Sequence, residues 1–147
     1  MSDSSRRVYD SVLDLLSDVD NPTPLVRLSR LIPFEHTEVY AKLEWYNPFG
    51  AVKDRVAANM VRDAEESGRI GSAQKLVEPT SGNTGLALAM VSNAKGYSLT
   101  TPLSNQIPVE KRTILRLAGV DVIELEDTLC PAPGAVSYTH LPLPTKA

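Results

Sequence analysis

Asn47-Pro48-Phe49-Gly50-Ala51-Val52-Lys53-Asp54-Arg55 places one lysine just after a glycine turn, at the start of a helix-competent run. Glu78-Pro79-Thr80-Ser81-Gly82-Asn83-Thr84-Gly85 follows about one supersecondary unit later and opens a second such run. After Lys53, the residues Val56, Met60, Val61 and Ala64 fall on one helical face, and Gly68 is placed to end the helix. Lys75-Leu76-Val77-Glu78 reads as a buried strand, so the Ser81–Thr84 segment is a strand-to-helix turn, and Leu86–Val91 continues it as an almost wholly apolar helix up to Gly96. A turn of this kind leaves backbone N–H groups free to hold an anion.

The same alternation extends outward. Ser98-Leu99-Thr100-Thr101 begins another strand, Pro108 suits the first turn of a helix through Ile114, Leu115 and Leu117, and Val120–Leu125 is a further strand. Upstream, Leu25–Leu28 and Glu38–Glu44 read as strands, and Val8, Val12, Leu15 and Leu16 recur at the spacing of a short amphipathic helix that Asn21-Pro22-Thr23-Pro24 ends. Strands alternating with helices predict an α/β fold around a mostly parallel sheet, with helices on both faces and right-handed crossovers. Ligands in such sheets bind beyond the carboxyl ends of the strands, where the 80–85 loop lies.

Composition narrows the function classes. The 147 residues carry a net charge of −3 from interspersed charges of both signs, with no basic face for nucleic acid and no acidic tail. Small molecules are the expected partners. The single cysteine, Cys130, allows no intrachain disulfide framework and fits a reducing compartment, and nothing beside it would lower its pKa. The opening residues form neither a signal peptide nor a membrane span, so the expected location is the cytoplasm. His36 and His140 lie outside the motifs, and no metal site is expected.

A lysine amine can bond covalently to an aldehyde cofactor, and a polar loop beside it can hold an amino acid carboxylate, a pairing that points to pyridoxal phosphate. Each part also has a plainer reading. Out of context, a lysine before Asp54 and Arg55 is a solvated surface charge, and Ser81-Gly82-Asn83-Thr84 is a turn with a helix cap. It is their combination, one βα unit apart, that favours chemistry. Asp54 and Arg55 themselves read as an ion pair steadying the lysine's helix, and Trp45 and Tyr46 as packing residues.

With these motifs, and with Asn21–Leu28, Lys42-Leu43-Glu44, Glu110-Lys111-Arg112 and Leu117–Val120, the chain resembles the N-terminal part of the cysteine synthase and cystathionine β-synthase family of fold-type II pyridoxal phosphate enzymes over most of residues 21–130. The resemblance implies that Lys53 is the Schiff-base lysine and that Asn83 hydrogen-bonds the ring hydroxyl of pyridoxal 5'-phosphate. It also implies that Thr80, Ser81, Gly82 and Thr84 bind the substrate carboxylate. The implied activity is β-replacement on an activated serine by sulfide or a thiol, giving cysteine, in a homodimeric parent enzyme. Cystathionine β-synthase-like, threonine synthase-like and dehydratase-like activities, or a non-catalytic fragment serving in subunit interaction, are the alternatives.

Two departures qualify the match. Ala51 stands where the family usually has serine or threonine, and the family's second glycine-rich loop, which holds the cofactor phosphate, has no counterpart in residues 1–147. Residues 1–135 are therefore expected to be the N-terminal part of such an enzyme, inactive alone. Residues 136–147 depart from the family, resemble translated adapter or vector sequence, and are expected to be a disordered or artefactual tail.

Overall fold

The computed structural model describes residues 8–30, 33–72 and 74–126. Cys130, His140 and the tail at 136–147 lie outside them. The elements are β1 (Leu25–Arg27), β2 (Tyr40–Lys42), α1 (Lys53–Glu66), β3 (Lys75–Val77), α2 (Asn83–Lys95), β4 (Ser98–Ser104), α3 (Val109–Leu117) and β5 (Asp121–Leu125). Short 3₁₀ turns lie at Val12–Leu15 and Glu44–Tyr46.

Three strands form the parallel sheet, in the order β3-β4-β5, with Val77 opposite Thr100 at the end of one ladder and Ser104 opposite Leu125 at the end of the other. Strands in sequential order joined by right-handed crossovers place α2 and α3 on the same side of the sheet. The contact of Leu115 on α3 with Gly85 on α2 agrees with that placement. Helix α1 packs along α2. The core is Ala57 and Val61 of α1, Ala87, Leu88, Ala89 and Val91 of α2, Leu99 and Leu103 of β4, Leu115 of α3, and Val120. Full burial of a side chain the size of Val91 contributes about 1.5–3 kcal/mol, so α2, buried on several sides, is the element around which the others assemble.

Helix boundaries follow the local chemistry. Gly68 and Gly96 stop α1 and α2 with φ of +67° and +80°, values that a residue with a Cβ adopts only under strain. Strand β4 runs three residues further than its β-branched start suggests and contains Pro102. A proline in a central strand costs a ladder bond. Here β3 has already ended opposite Thr100, so at Pro102 only the β5 side of the strand is paired.

Three expectations change. The strands at 25–27 and 40–42 pair with each other, antiparallel, in a sheet of their own, with Val26 opposite Ala41. The parallel sheet therefore begins at β3. The N-terminal amphipathic helix is a single 3₁₀ turn held by a capping box between Ser11 and Asp14. Val8 is 81% exposed and only Leu13 of that stretch packs on the core, too little burial to offset the ordering of a longer helix. Trp45 and Tyr46 pack on each other, ring centroids 6.3 Å apart, and remain 65% and 61% exposed, so they do not fill the core. No described helix is long and apolar enough to cross a membrane.

Candidate functional site

Lys53 is the first residue of α1 and Asn83 the first of α2. Each lies twelve residues before a group that joins the far ends of the two helices: Lys95 Nζ is 2.7 Å from Glu65 Oε2, and Tyr97 donates its hydroxyl to Glu65 Oε1 at 2.9 Å. Antiparallel helices joined there would diverge, whereas these pack along their length, so they run parallel. Twelve residues rise about 18 Å in each helix. Lys53 and the 80–85 loop therefore share one end of the helix pair, at the carboxyl end of β3.

Lys53 is exposed and its side chain makes no hydrogen bond or ion pair among the described residues. Helix α2 begins without a side-chain cap: its N-cap residue is Gly82, and the first bond closing the helix runs from Leu86 N–H to the Gly82 carbonyl. The N–H groups of Asn83, Thr84 and Gly85 thus have no acceptor among the described residues, and with the helix dipole they favour an anion. The side chains of Thr80, Asn83 and Thr84 likewise make no hydrogen bond among the described residues. Ser81 and Gly82 complete the same turn. A free amine beside an uncapped helix start fits a cofactor that carries an aldehyde and a substrate that carries a carboxylate. Among the described residues no cluster of His, Cys, Asp and Glu could hold a metal ion. His36 lies in an exposed segment away from the motifs.

The turn before Lys53 is built differently from the expected ion pair. Arg55 reaches away from Asp54 to Glu44, at 3.0 and 2.9 Å to its two oxygens, and to Thr23 Oγ1 at 3.3 Å. Glu44 also accepts from the buried Asn47 amide at 2.8 Å, and Ser17 donates to Asn47 Oδ1 at 2.5 Å. Asp54 is 0% exposed and one of its oxygens accepts the Phe49 N–H at 2.7 Å, tying the 49–54 segment into a loop. Local sequence offers Asp54 an adjacent cation, but the helical rise turns neighbouring side chains to different faces, and i,i+1 pairs do not meet.

The carboxyl groups around this frame titrate unusually. Burial pushes Asp54 up from its ordinary value of 3.8, and the N–H groups of Phe49, Ala51 and Asp54 itself pull it partly back. Burial likewise raises Glu78, a half-buried carboxyl at the end of β3 that has no partner among the described residues. Its only sequence signal was its place directly after an apolar strand. Burial also works to raise Glu44, but the Asn47 amide, the Arg55 charge and hydrogen bonds, and Thr23 outweigh it and hold Glu44 below 4.5.

A depressed folded-state value means that Glu44 stabilises the fold above its unfolded pKa and loses that contribution as pH falls through its folded pKa. The stability gap between the protein and its Glu44→Gln variant is therefore expected to be full above the ordinary value of 4.5 and to close as pH falls through the lower folded-state value. Thermal melts of both across that range check this; a gap that stays constant with pH would remove Glu44 from the network.

A cleft of about 810 Å³ lies elsewhere, between the Val12–Leu15 turn and the flank of α1, with Leu13, Leu16, Val56, Met60, Arg62 and Val91 among its walls. Neither Lys53 nor any residue of the 80–85 loop lines it.

Comparison with known proteins finds relatives of one family. The profile of the family described as "Pyridoxal-phosphate dependent enzyme" matches residues 16–138. O-ureido-L-serine synthase of Streptomyces lavendulae is 45% identical over 112 residues, 76% of this chain and 33% of the relative. A probable cysteine synthase of Bacillus subtilis (strain 168) is 40% identical over 117 residues, 80% of this chain and 36% of the relative. The crystal structure of cysteine synthase from Entamoeba histolytica superposes with a TM-score of 0.79 at 32% identity, covering 94% of this chain and 40% of that one. The chain spans about a third of the length of the curated relatives it matches.

Proposed function

The chain belongs to the pyridoxal-phosphate dependent enzyme family, and on that premise we propose that its full-length parent replaces the β-substituent of an activated serine, with cysteine as the product. The observation that supports this reading most is the pairing of an unpartnered Lys53 with the uncapped start of α2 at one end of parallel helices. Bound pyridoxal phosphate supplies an aldehyde that captures amines and a ring that makes the substrate Cα–H acidic.

This chain's residues do the rest. Lys53 would hold the cofactor through its Nζ, and its amine, when free, would accept the substrate Cα proton. The N–H groups of Asn83, Thr84 and Gly85, with Thr80, Ser81 and Gly82, hold the α-carboxylate so that the Cα–H bond stays aligned for that transfer. Asn83 would hydrogen-bond the ring hydroxyl. Once sulfide has replaced the β-substituent, which leaves with its bonding electron pair, the Lys53 ammonium would return its proton to Cα. On this reading the parent is a cytoplasmic homodimer. The 147-residue chain by itself then retains little cofactor and turns nothing over.

The 45% identity to an O-ureido-L-serine synthase keeps the nucleophile open between sulfide and an oxygen nucleophile. The test is to assay the parent with O-acetyl-L-serine against sulfide and against hydroxyurea in parallel. Preferential release of cysteine upholds the sulfide reading. Turnover only with hydroxyurea replaces it with the second reading, and no turnover with either, in a cofactor-loaded enzyme, overturns both.

A further inference from the structure

Gly85 sits in the first turn of α2 in a space too small for any side chain. A methyl group added there would lie 2.8 Å from Thr80 Cγ2, 3.1 Å from the Thr80 carbonyl oxygen and 3.3 Å from Leu115 Cδ2. The Thr80 methyl therefore crowds the place where a Cβ would stand, and Leu115 of α3 borders the same space. Gly82, three residues earlier in the same loop, has nothing within 4 Å of such a Cβ, so the crowding is particular to position 85.

Thr80 is branched at Cβ, so placing its methyl fixes its hydroxyl. With Cγ2 wedged toward Gly85, Oγ1 is directed away from that contact, and it makes no hydrogen bond among the described residues. We propose that Gly85 is a positioning residue for Thr80: by having no Cβ it leaves room for the Thr80 methyl group and so fixes the direction of the Thr80 hydroxyl at the ligand end of α2. This rests on the reading of the 80–85 loop as a carboxylate site. Three staggered wells are open to an unheld hydroxyl. Holding one of them removes that ordering cost from ligand capture.

The experiment is a double-variant cycle on the 147-residue chain, with acetate as the carboxylate probe and two readouts: the melting temperature, and the backbone amide shifts of Asn83, Thr84 and Gly85 on titration. Gly85→Ala is expected to lower the melting temperature by about 5–15 °C, the range that corresponds to overpacking a tight contact. Adding Thr80→Ser removes the methyl and recovers part of that loss. Thr80→Ser alone keeps the hydroxyl but frees its rotamer, so acetate should bind about threefold more weakly while the fold stays intact. Thr80→Val keeps the methyl, and should melt close to the unaltered chain while losing most of the acetate response.

Strictly additive losses in the cycle, or full acetate affinity in Thr80→Ser when Thr80→Val has lost it, would overturn the lock. Should Gly85→Ala not fold, the acetate response of Thr80→Ser decides alone. Unchanged acetate binding in Thr80→Val would instead overturn the assignment of Thr80 to the carboxylate site. Coupling in the melting temperatures would still stand as evidence for the packing, so the two failures are distinguishable.

Discussion

Replacing Lys53 with alanine in the full-length parent is expected to abolish the visible absorption band of the protein-linked cofactor and to lower turnover by at least about 10³-fold. Two roles fall on one amine. On the proposed function Lys53 would join the cofactor to the protein and its freed amine would move the Cα proton; alanine could do neither. The fold should not suffer, because the side chain is exposed, makes no contact on which α1 depends, and occupies a first-turn position that alanine accepts readily. Lys111→Ala, an exposed lysine on α3, is the control that should leave the band in place. Borohydride reduction followed by peptide mass mapping reads the same event covalently, with the adduct at residue 53 in the unaltered enzyme. A band that survives in Lys53→Ala, or an adduct mapping to another lysine, would end the assignment.

How much of this was legible in the sequence depends on whether the signal was local. Helices α1 and α2 were, because apolar periodicity and a terminating glycine act within one element, and Gly68 and Gly96 take the positive φ that such stops need. The placing of Lys53 and the 80–85 loop at helix starts was legible for the same reason. Pairing was not. Nothing in Leu25–Arg27 or Tyr40–Lys42 says that each finds the other and not the parallel sheet, since a strand's partner is chosen by the register of the whole chain. Strand β4 was legible at its start but not at its end, because Pro102 can continue a strand where the neighbouring one has already ended, a fact that resides in β3. The Thr80–Gly85–Leu115 contact spans two helices and a loop and left no sequence signal beyond the glycine itself.

Asp54 is the residue most misread from sequence, and its removal is expected to be the costliest change in the turn before Lys53. Its side chain is 0% exposed, one oxygen accepts the Phe49 N–H at 2.7 Å, and the other is buried with no hydrogen-bond partner among the described residues. Asp54→Ala leaves the Phe49 N–H without its acceptor and empties the space of a carboxyl group, together about 2–4 kcal/mol. Asp54→Asn keeps a carbonyl oxygen for Phe49 and should lose less. The titration adds a second signature. Burial raises Asp54 above 3.8, so the folded state holds this proton more tightly than the unfolded chain does. Its ionisation therefore lowers stability as pH climbs from the unfolded value through the folded one, the opposite sign to Glu44. Asp54→Asn should remove that slope, so its stability relative to the unaltered protein should improve as pH rises through this window. Denaturant melts of the three proteins at several pH values separate the effects. An Asp54→Ala variant as stable as the unaltered protein would show that the Phe49 contact contributes nothing, and an Asn variant that tracks the unaltered protein at every pH would place the Asp54 proton elsewhere.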